Sequence, residues 1–567
     1  MTNAVTDAVT NAVKTRPWWH DAVVYQVYLR SFADSNGDGL GDLAGVRSRL
    51  PYLASLGVDA LWLNPFYLSP QKDHGYDVAD YYEVDPLFGT LDDFDALLAD
   101  AHAHGLRIIC DVVPNHSSSE HEWFKRALAD PMSDERSRYI FRPPAADGGP
   151  PNNWRSVFSG PAWTLDEASG EYYLHLFDAS QPDFNWRHPE VHAEWEQILR
   201  FWLDRGVDGF RIDVAHGLYK DAELRDNPEA GRVVPGAPAY ESISAKHNWD
   251  QPETIEVFRR WRQITDSYAG DRMMVGEVFL FDLGRVASYA GADRLHQAFN
   301  FMVMATPFEA AALRDVIEKA LGAFTVDGAG PTWVLSNHDL VRHVTRYGGG
   351  DAGLRRAKAA TGTLLALPGS PYLYQGEELG LEQADVPPEA RQDPIWVRSG
   401  GTIEGRDGCR TPIPWTDEPP GYGFTTSATP WLPVEDTAKA GSVAAEEADA
   451  ASTLAFYRRA IGIRREARPS LGDEVEWLAT PAGTLGFTRS AADGTTYTCL
   501  LNTTTRAVPV RLPGEATVVL TSELSVPEGA RALPGTDNFA IAVPGETCLW
   551  LRSVDPDRFV RDAAQHD

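Results

Sequence analysis

The sequence predicts an α/β chain: a (β/α)₈ TIM barrel with a small β-rich domain inserted after the third strand, followed by a C-terminal antiparallel β-domain. Three observations predict it. Eight short apolar runs recur along the chain, each parted from the next by a helix-like stretch. Two of the intervening connections are far longer than the few residues usual in such units. After about residue 483 the pattern changes to short alternating or β-branched segments with turn residues between them.

The runs are VVYQVYL (23–29), VDALWLNP (58–65), LRIICDVVPNH (106–116), VDGFRIDVA (207–215), RMMVGEVF (272–279), HQAFNF (296–301), TWVLSNHD (332–339) and SPYLYQGEE (370–378). They are continuous rather than alternating, as parallel strands buried on both faces require. Repeated strand–helix units of this number and length point to a barrel. Helical spacing is clear where Val191, Trp195, Ile198 and Trp202 fall on one stripe and Gly206 supplies a stop. Residues 1–17 read as a loose leader, and the barrel takes up 1–116 and 189–482. The first long connection, 117–188, is rich in Pro, Gly, Trp and Tyr and reads as the inserted domain. The second, roughly 380–450, follows the eighth run. Both open from the C-terminal ends of strands, where barrel enzymes build their sites. The stretch 483–567, with TYTCLLNTT, AVPVRL and ATVVLTS, reads as the β-domain.

Composition sets the outer bounds. A chain of 567 residues is too long for one core, so two or three domains are expected. The formal charge of −30 argues against nucleic acid or an anionic membrane as partner. No apolar run is long enough for a membrane span, and the N-terminus lacks the basic region and apolar core of a secretory signal. A cytoplasmic monomer or homodimer is the expectation. Cys110, Cys409, Cys499 and Cys548 show neither metal-ligand spacing nor a disulfide framework. Reduced thiols are expected, with Cys110 in the core and Cys499 and Cys548 open to being strand neighbours.

The strand ends hold the ionisable groups. Arg211 and Asp213 lie two apart in VDGFRIDVA and so point to the same side of a strand. The guanidinium is expected to keep the carboxylate ionised by lowering its pKa, which suits a nucleophile. Glu277 ends its strand behind an apolar run, whose desolvation is expected to raise its pKa and suit a general acid. DVVPNH adds Asp111, Asn115 and His116, and SNHD adds His338 and Asp339. A single carboxylate in such a place is commonly a helix cap or a surface pair. Polar groups at several strand ends together point to one shared site.

DVVPNH, GFRIDVAH, GEVF and SNHD resemble, in order and spacing, the four signature regions of glycoside hydrolase family 13, the α-amylase family. QPDFN (181–185) resembles the QPDLN variant of its oligo-1,6-glucosidase and α-glucosidase branch, and GRDGCRTPIPW (405–415) resembles that branch's RTPMQW segment. The resemblance runs from about Trp18 to the C-terminus. It implies that Asp213 is the nucleophile, Glu277 the acid/base and Asp339 the transition-state stabiliser. It further implies that Tyr76, Asp77, His116, Arg211 and His338 bind the glucosyl unit that is cleaved. Arg410 would reach the same sugar or the entrance. Phe158 and Phe177 would wall the pocket, local core packing being their alternative. Gln181 and Asp183 look structural. The implied chemistry is a double displacement, with the two carboxyl groups about 5–5.5 Å apart, and no organic cofactor.

The stretch DSNGDGLGD (34–42) offers Asp34, Asn36, Asp38, Asp42 and the Leu40 carbonyl as oxygen ligands at alternating positions, like the first part of an EF-hand loop. The branch carries a cation after its first strand, so structural Ca²⁺, with Mg²⁺ as the alternative, is expected here. An ordinary glycine-rich turn is the other reading. The expected activity is exo-hydrolysis of short α-glucosides. Val214, after the nucleophile, matches a residue associated with α-1,6 preference, whereas HNWDQPETIEVFRRWRQI (247–264) resembles bacterial α-1,4-glucosidases; maltose-like α-1,4 substrates are favoured and α-1,6 stays open. The alternatives are an α-glucosyl transferase or isomerase, such as trehalose synthase or sucrose isomerase, and a non-catalytic transporter-associated homologue. The last is disfavoured by three retained carboxylates and the lack of a membrane anchor.

Overall fold

The computed structural model describes residues 16–228, 246–325, 327–434, 441–523, 525–534 and 539–554; the expected leader lies outside them up to residue 15. The eight apolar runs form eight strands: β1 Val24–Val27, β2 Ala60–Leu63, β3 Arg107–Val112, β4 Gly209–Ile212, β5 Met273–Gly276, β6 Gln297–Ala298, β7 Thr332–Val334 and β8 Ser370–Tyr374. They pair in parallel in the order β6-β5-β4-β3-β2-β1-β8-β7. The remaining seam, between β6 and β7, is bridged by a side chain. Thr332 Oγ1 donates to the Ala298 carbonyl at 2.9 Å and accepts from the Asn300 N–H at 3.1 Å. The strand–helix units therefore close into a (β/α)₈ barrel.

Continuous apolar runs suit this arrangement because alternate residues face two different cores. Val24, Ala60, Trp62, Ile109, Met273, Val275, Val334 and Tyr372 meet inside the barrel. Tyr25, Leu61, Leu63, Ile108, Phe210 and Met274 pack outward against the helices. The helix Pro189–Arg205 has Pro at its first position, buries Val191, Trp195, Ile198 and Trp202, and ends on Gly206 at φ 106°, a left-handed conformation that glycine adopts without penalty.

Between β3 and β4 the chain builds a three-stranded antiparallel sheet, Phe141–Arg142, Trp163–Asp166 and Glu171–Leu174. A helix, Glu122–Ala129, precedes it within the same insertion. The connection after β8 is built from short helical turns, among them Pro394–Arg398 and Asp407–Cys409, and it returns across the C-terminal end of the barrel. The C-terminal sheet starts at Glu476–Trp477, earlier than 483, because these residues pair with Thr488 and Phe487. It packs on a second sheet through Leu500, Leu549, Leu551, Val510 and Ile541. All four thiols are free and buried, with the Cys499 and Cys548 sulfurs 3.7 Å apart on neighbouring strands. Among the described residues no helix is long and apolar enough to cross a membrane.

Candidate active site

The C-terminal ends of β3, β4 and β5 converge on one buried guanidinium. Arg211 Nη1 donates to Asp111 Oδ1 at 2.9 Å and to Asp213 Oδ1 at 2.6 Å, and Nη2 pairs with Glu277 Oε2 at 2.8 Å. The two-residue period of β4 turns Arg211 and Asp213 to the same side. The indole of Trp62 lies under the guanidinium at 4.9 Å and donates to Asp111 Oδ2. Val214, directly after Asp213, sits at φ 44°, a strained conformation for a β-branched residue. Its N–H donates to Glu277 Oε2 at 3.2 Å. This turn draws the end of β4 towards the end of β5.

Asp213 does not follow the pKa expectation drawn from the sequence. Complete burial and the neighbouring Glu277 carboxyl raise it well above the ordinary carboxylate value, and Arg211 offsets them only in part. The reason is that one guanidinium is divided among three carboxyl groups.

Opposite this pair stands Asp339. Its Oδ1 accepts from Arg406 Nη1 at 3.0 Å and Arg410 Nη2 at 2.9 Å, and its Oδ2 lies 3.3 Å from His338 Nε2. Burial alone would raise this carboxyl, but the guanidiniums of Arg406 and Arg410 outweigh it and hold it below the usual range. Burial keeps His338 well below its ordinary pKa, hence neutral. Its Nδ1 faces the Gln26 amide at 2.7 Å, so the proton belongs on Nε2, which meets the Tyr76 hydroxyl at 2.8 Å. That hydroxyl donates in turn to Asp111 Oδ2 at 2.9 Å. The ring of Tyr76 stacks on His338 at 5.4 Å. His116 is neutral as well, lowered to about 3 by burial, and is fixed by the Tyr76 carbonyl and Asn115.

The structure separates the two aspartates of DHGYD. Asp77 is fully buried and accepts from the Lys72 and Asp73 N–H groups at 2.9 Å each, so its carboxylate closes its own loop. Asp73 accepts from Arg406 Nη2 at 2.9 Å and Gln181 Nε2 at 3.0 Å, and through Arg406 it joins Asp339. Neither Asp73 nor Arg406 is among the residues expected from the sequence. Arg410, which was expected here, lies deeper, donating to the His338 carbonyl at 2.7 Å. Arg406 joins Asp73, Asp339 and Asp393, so Arg406→Lys is expected to lower kcat/KM about 10²-fold by losing the planar fork, measured by steady-state kinetics.

Phe177 packs on His116 at 5.0 Å and on Phe158 at 5.8 Å, and Arg406 lies over Phe158 at 5.1 Å. The two phenylalanines thus flank the site as well as filling the inserted domain. Arg398 ties the long connection to that domain through Asp178 at 2.9 Å.

Beneath the inserted domain, Lys220 Nζ lies 2.7 Å from Asp183 Oδ2, Asn115 Oδ1 and the Gly217 carbonyl, almost wholly buried. An ammonium with three oxygen partners does the work of a cation here, joining the QPDFN segment to the ends of β3 and β4. Lys220→Met leaves Asp183 charged and unpaired, and is expected to cost about 3–5 kcal/mol, read as a lower unfolding midpoint. Asp183→Asn combined with Lys220→Met is expected to recover part of that loss.

In the loop 34–42 the oxygen donors suit a hard cation in kind. They are turned, however, to N–H groups of the loop: Asp34 accepts from Gly37 and Gly39, Asp38 from Leu40 and Asn36, and Asp42 from Ser35 and Gly45. Among the described residues no three Asp, Glu, His or Cys side chains are gathered as a metal-holding group. The loop anchors the long connection through Thr425 to Asp34 and through the Trp431 N–H to the Gly39 carbonyl.

The family model described as alpha amylase, catalytic domain, matches residues 26–472. A probable alpha-glucosidase of Rhizobium meliloti (strain 1021) is 42% identical over 517 residues, covering 88% of this chain and 91% of that protein. An oligo-1,6-glucosidase of Parageobacillus thermoglucosidasius is 37% identical over 484 residues, covering 80% of this chain and 84% of its own. Among solved structures, the alpha-glucosyl transfer enzyme XgtA superposes with a TM-score of 0.86 at 39% identity, covering 95% of this chain and 99% of that one.

Proposed function

The chain belongs to the α-amylase family of glycoside hydrolases, and from that premise we propose that it is an exo-acting, retaining α-glucosidase of short oligosaccharides, with maltose-like α-1,4 substrates favoured. The observation that carries the reading is the single guanidinium of Arg211 spanning Asp213 and Glu277. Two carboxyl groups carried side by side on one guanidinium suit double displacement rather than the wider spacing of an inverting pair.

In the proposed reaction Glu277 delivers its proton to the glycosidic oxygen as Asp213 attacks the anomeric carbon, giving a β-glucosyl-enzyme. Water then attacks from the vacated side, with Glu277 now accepting its proton, and the α configuration returns. Asp339, kept ionised by two arginines, stabilises the positive charge that develops on the ring. Asp73 and Arg406 hold hydroxyls of the same glucosyl unit, and His338 and His116, both neutral, complete its hydrogen bonds.

Product analysis on maltose, isomaltose, sucrose, trehalose, maltotriose and starch tests this reading. α-Glucose as the first-formed product from the short substrates is expected; starch as the best substrate overturns the exo assignment. A second reading, glucosyl transfer, is favoured by the likeness to XgtA; it predicts that the glucosyl unit passes to a second sugar, so that from maltose lengthened products form alongside the one glucose that leaves. For the loop 34–42 the proposal is structural Ca²⁺ (or Mg²⁺), supported by its all-oxygen donor set. Chelation is then expected to lower the thermal midpoint, and an unchanged midpoint sinks it.

A further inference from the structure

Between the barrel and the C-terminal sheet the protein holds a cavity of about 30 Å³, room for a water or two or for one monatomic ion. Leu365 borders it from the helix Gly350–Ala366, and Ile463 and Ala467 from the helix Thr453–Ala467. Phe487, Cys499 and Trp550 border it from the sheet. Arg464 and Arg489 complete the wall, each only 4% exposed.

Neither guanidinium has a carboxylate. Among the described residues no Asp or Glu forms an ion pair with either one: Asp59 pairs with Arg468, and Asp473 with Arg16 and His20. Their partners are carbonyls. Arg464 donates to those of Leu365, Leu367, Asp21 and Gly369, and Arg489 to those of Ala366 and Gly472. Leu365, Ala366 and Leu367 end a helix, so the two arginines cap it. A helix end carries only about half a negative charge, however, against two full positive ones. Nε of Arg464 is buried with no partner at all. Burial, reinforced by repulsion from Arg489, lowers Arg464 to about 9, and burial lowers Arg489 to about 10. Burial also raises the Cys499 thiol well above its ordinary value, so it stays neutral and supplies no counter-charge.

Buried charge left in this state calls for a counter-ion. The cavity is too small for phosphate, sulfate or an organic carboxylate. Its apolar walls favour an anion that gives up water readily, as the heavier halides do.

We propose that the cavity binds a small monovalent anion, chloride in size, between Arg464 and Arg489, and that this ion joins the C-terminal sheet to the barrel. Asp21 and Gly369, whose carbonyls hold Arg464, precede β1 and β8. The site therefore lies at the opposite end of the barrel from Asp213 and Glu277 and does not depend on the α-glucosidase reading.

The thermal midpoint of the full chain, measured as potassium chloride replaces potassium methanesulfonate at constant ionic strength, tests this. The midpoint is expected to rise by about 1 °C for each tenfold of chloride once the site begins to fill. Arg489→Gln, which keeps amide donors for the carbonyls but removes one charge, is expected to abolish that dependence. Ala467→Val, which fills part of the cavity and leaves both charges, is expected to abolish it too, and decides the matter if the first variant does not fold. Crystals soaked in bromide are expected to show an anomalous peak between the two guanidiniums. A midpoint indifferent to chloride overturns the proposal, as does a rise that both variants keep. A bromide peak without any effect of chloride in solution marks an adventitious ion only, and overturns it as well.

Discussion

Replacing Asp213 with Asn is expected to lower kcat/KM on maltose by at least about 10⁴-fold. No other carboxylate can take over the attack. Asp111 is held by Trp62 and Tyr76 as well as by Arg211, and Asp339 is bound to Arg406 and Arg410. The fold should survive, because the substitution removes one of three carboxyl groups crowded round Arg211 and so relieves repulsion. The unfolding midpoint is therefore expected not to fall. The smaller variant Asp213→Ala gives a sharper check with α-glucosyl fluoride, whose leaving group needs no acid. Azide entering the vacated space on the Asp213 face is expected to yield β-glucosyl azide. Residual activity of Asp213→Asn above about a hundredth of the parent would sink the nucleophile assignment.

Glu277→Gln is expected to slow maltose cleavage about 10³-fold while leaving formation of the glucosyl-enzyme from α-glucosyl fluoride comparatively fast. Its breakdown then lacks a base, so the covalent species accumulates and azide releases it as α-glucosyl azide. Opposite anomers from the two variants place the carboxyl groups on opposite faces of the sugar. The pH profile carries a further sign. Burial, with the neighbouring Glu277 carboxyl, raises Asp213 well above the ordinary carboxylate value. Since attack needs Asp213 ionised, kcat/KM is expected to rise with pH through that raised value. With Glu277→Gln and the fluoride substrate this limb is expected to move to lower pH, because the neighbouring carboxyl is gone.

The expectation for Asp213 itself had the opposite sign, and the reason is instructive. Two residues apart on a strand, Arg211 and Asp213 read as a private ion pair, which depresses a carboxyl. That β3 and β5 bring Asp111 and Glu277 to the same guanidinium is a matter of barrel closure, not of local sequence. A similar limit applied to DHGYD. Asp73 and Asp77 are the same residue type four apart in one loop, and only the loop's path decides which meets Arg406 and which caps its own N–H groups. In GRDGCR the two arginines are likewise four apart. Arg406 joins Asp73 and Asp339, whereas Arg410 lies deeper and donates to the His338 carbonyl.

By itself the sequence determined the eight strands, the helical stripe ending at Gly206, the change to a β-domain, and the strand ends that carry the ionisable groups. Those follow from periodicity and turn chemistry, which act over a few neighbouring residues and are written in their order. Only the tertiary structure decided how charge is shared. It placed one guanidinium among Asp111, Asp213 and Glu277, put Lys220 where a cation could have been sought, and joined Asp73 rather than Asp77 to Arg406. Electrostatic energies depend on burial and on every charge within several ångströms. In a barrel those neighbours come from strands a hundred residues apart.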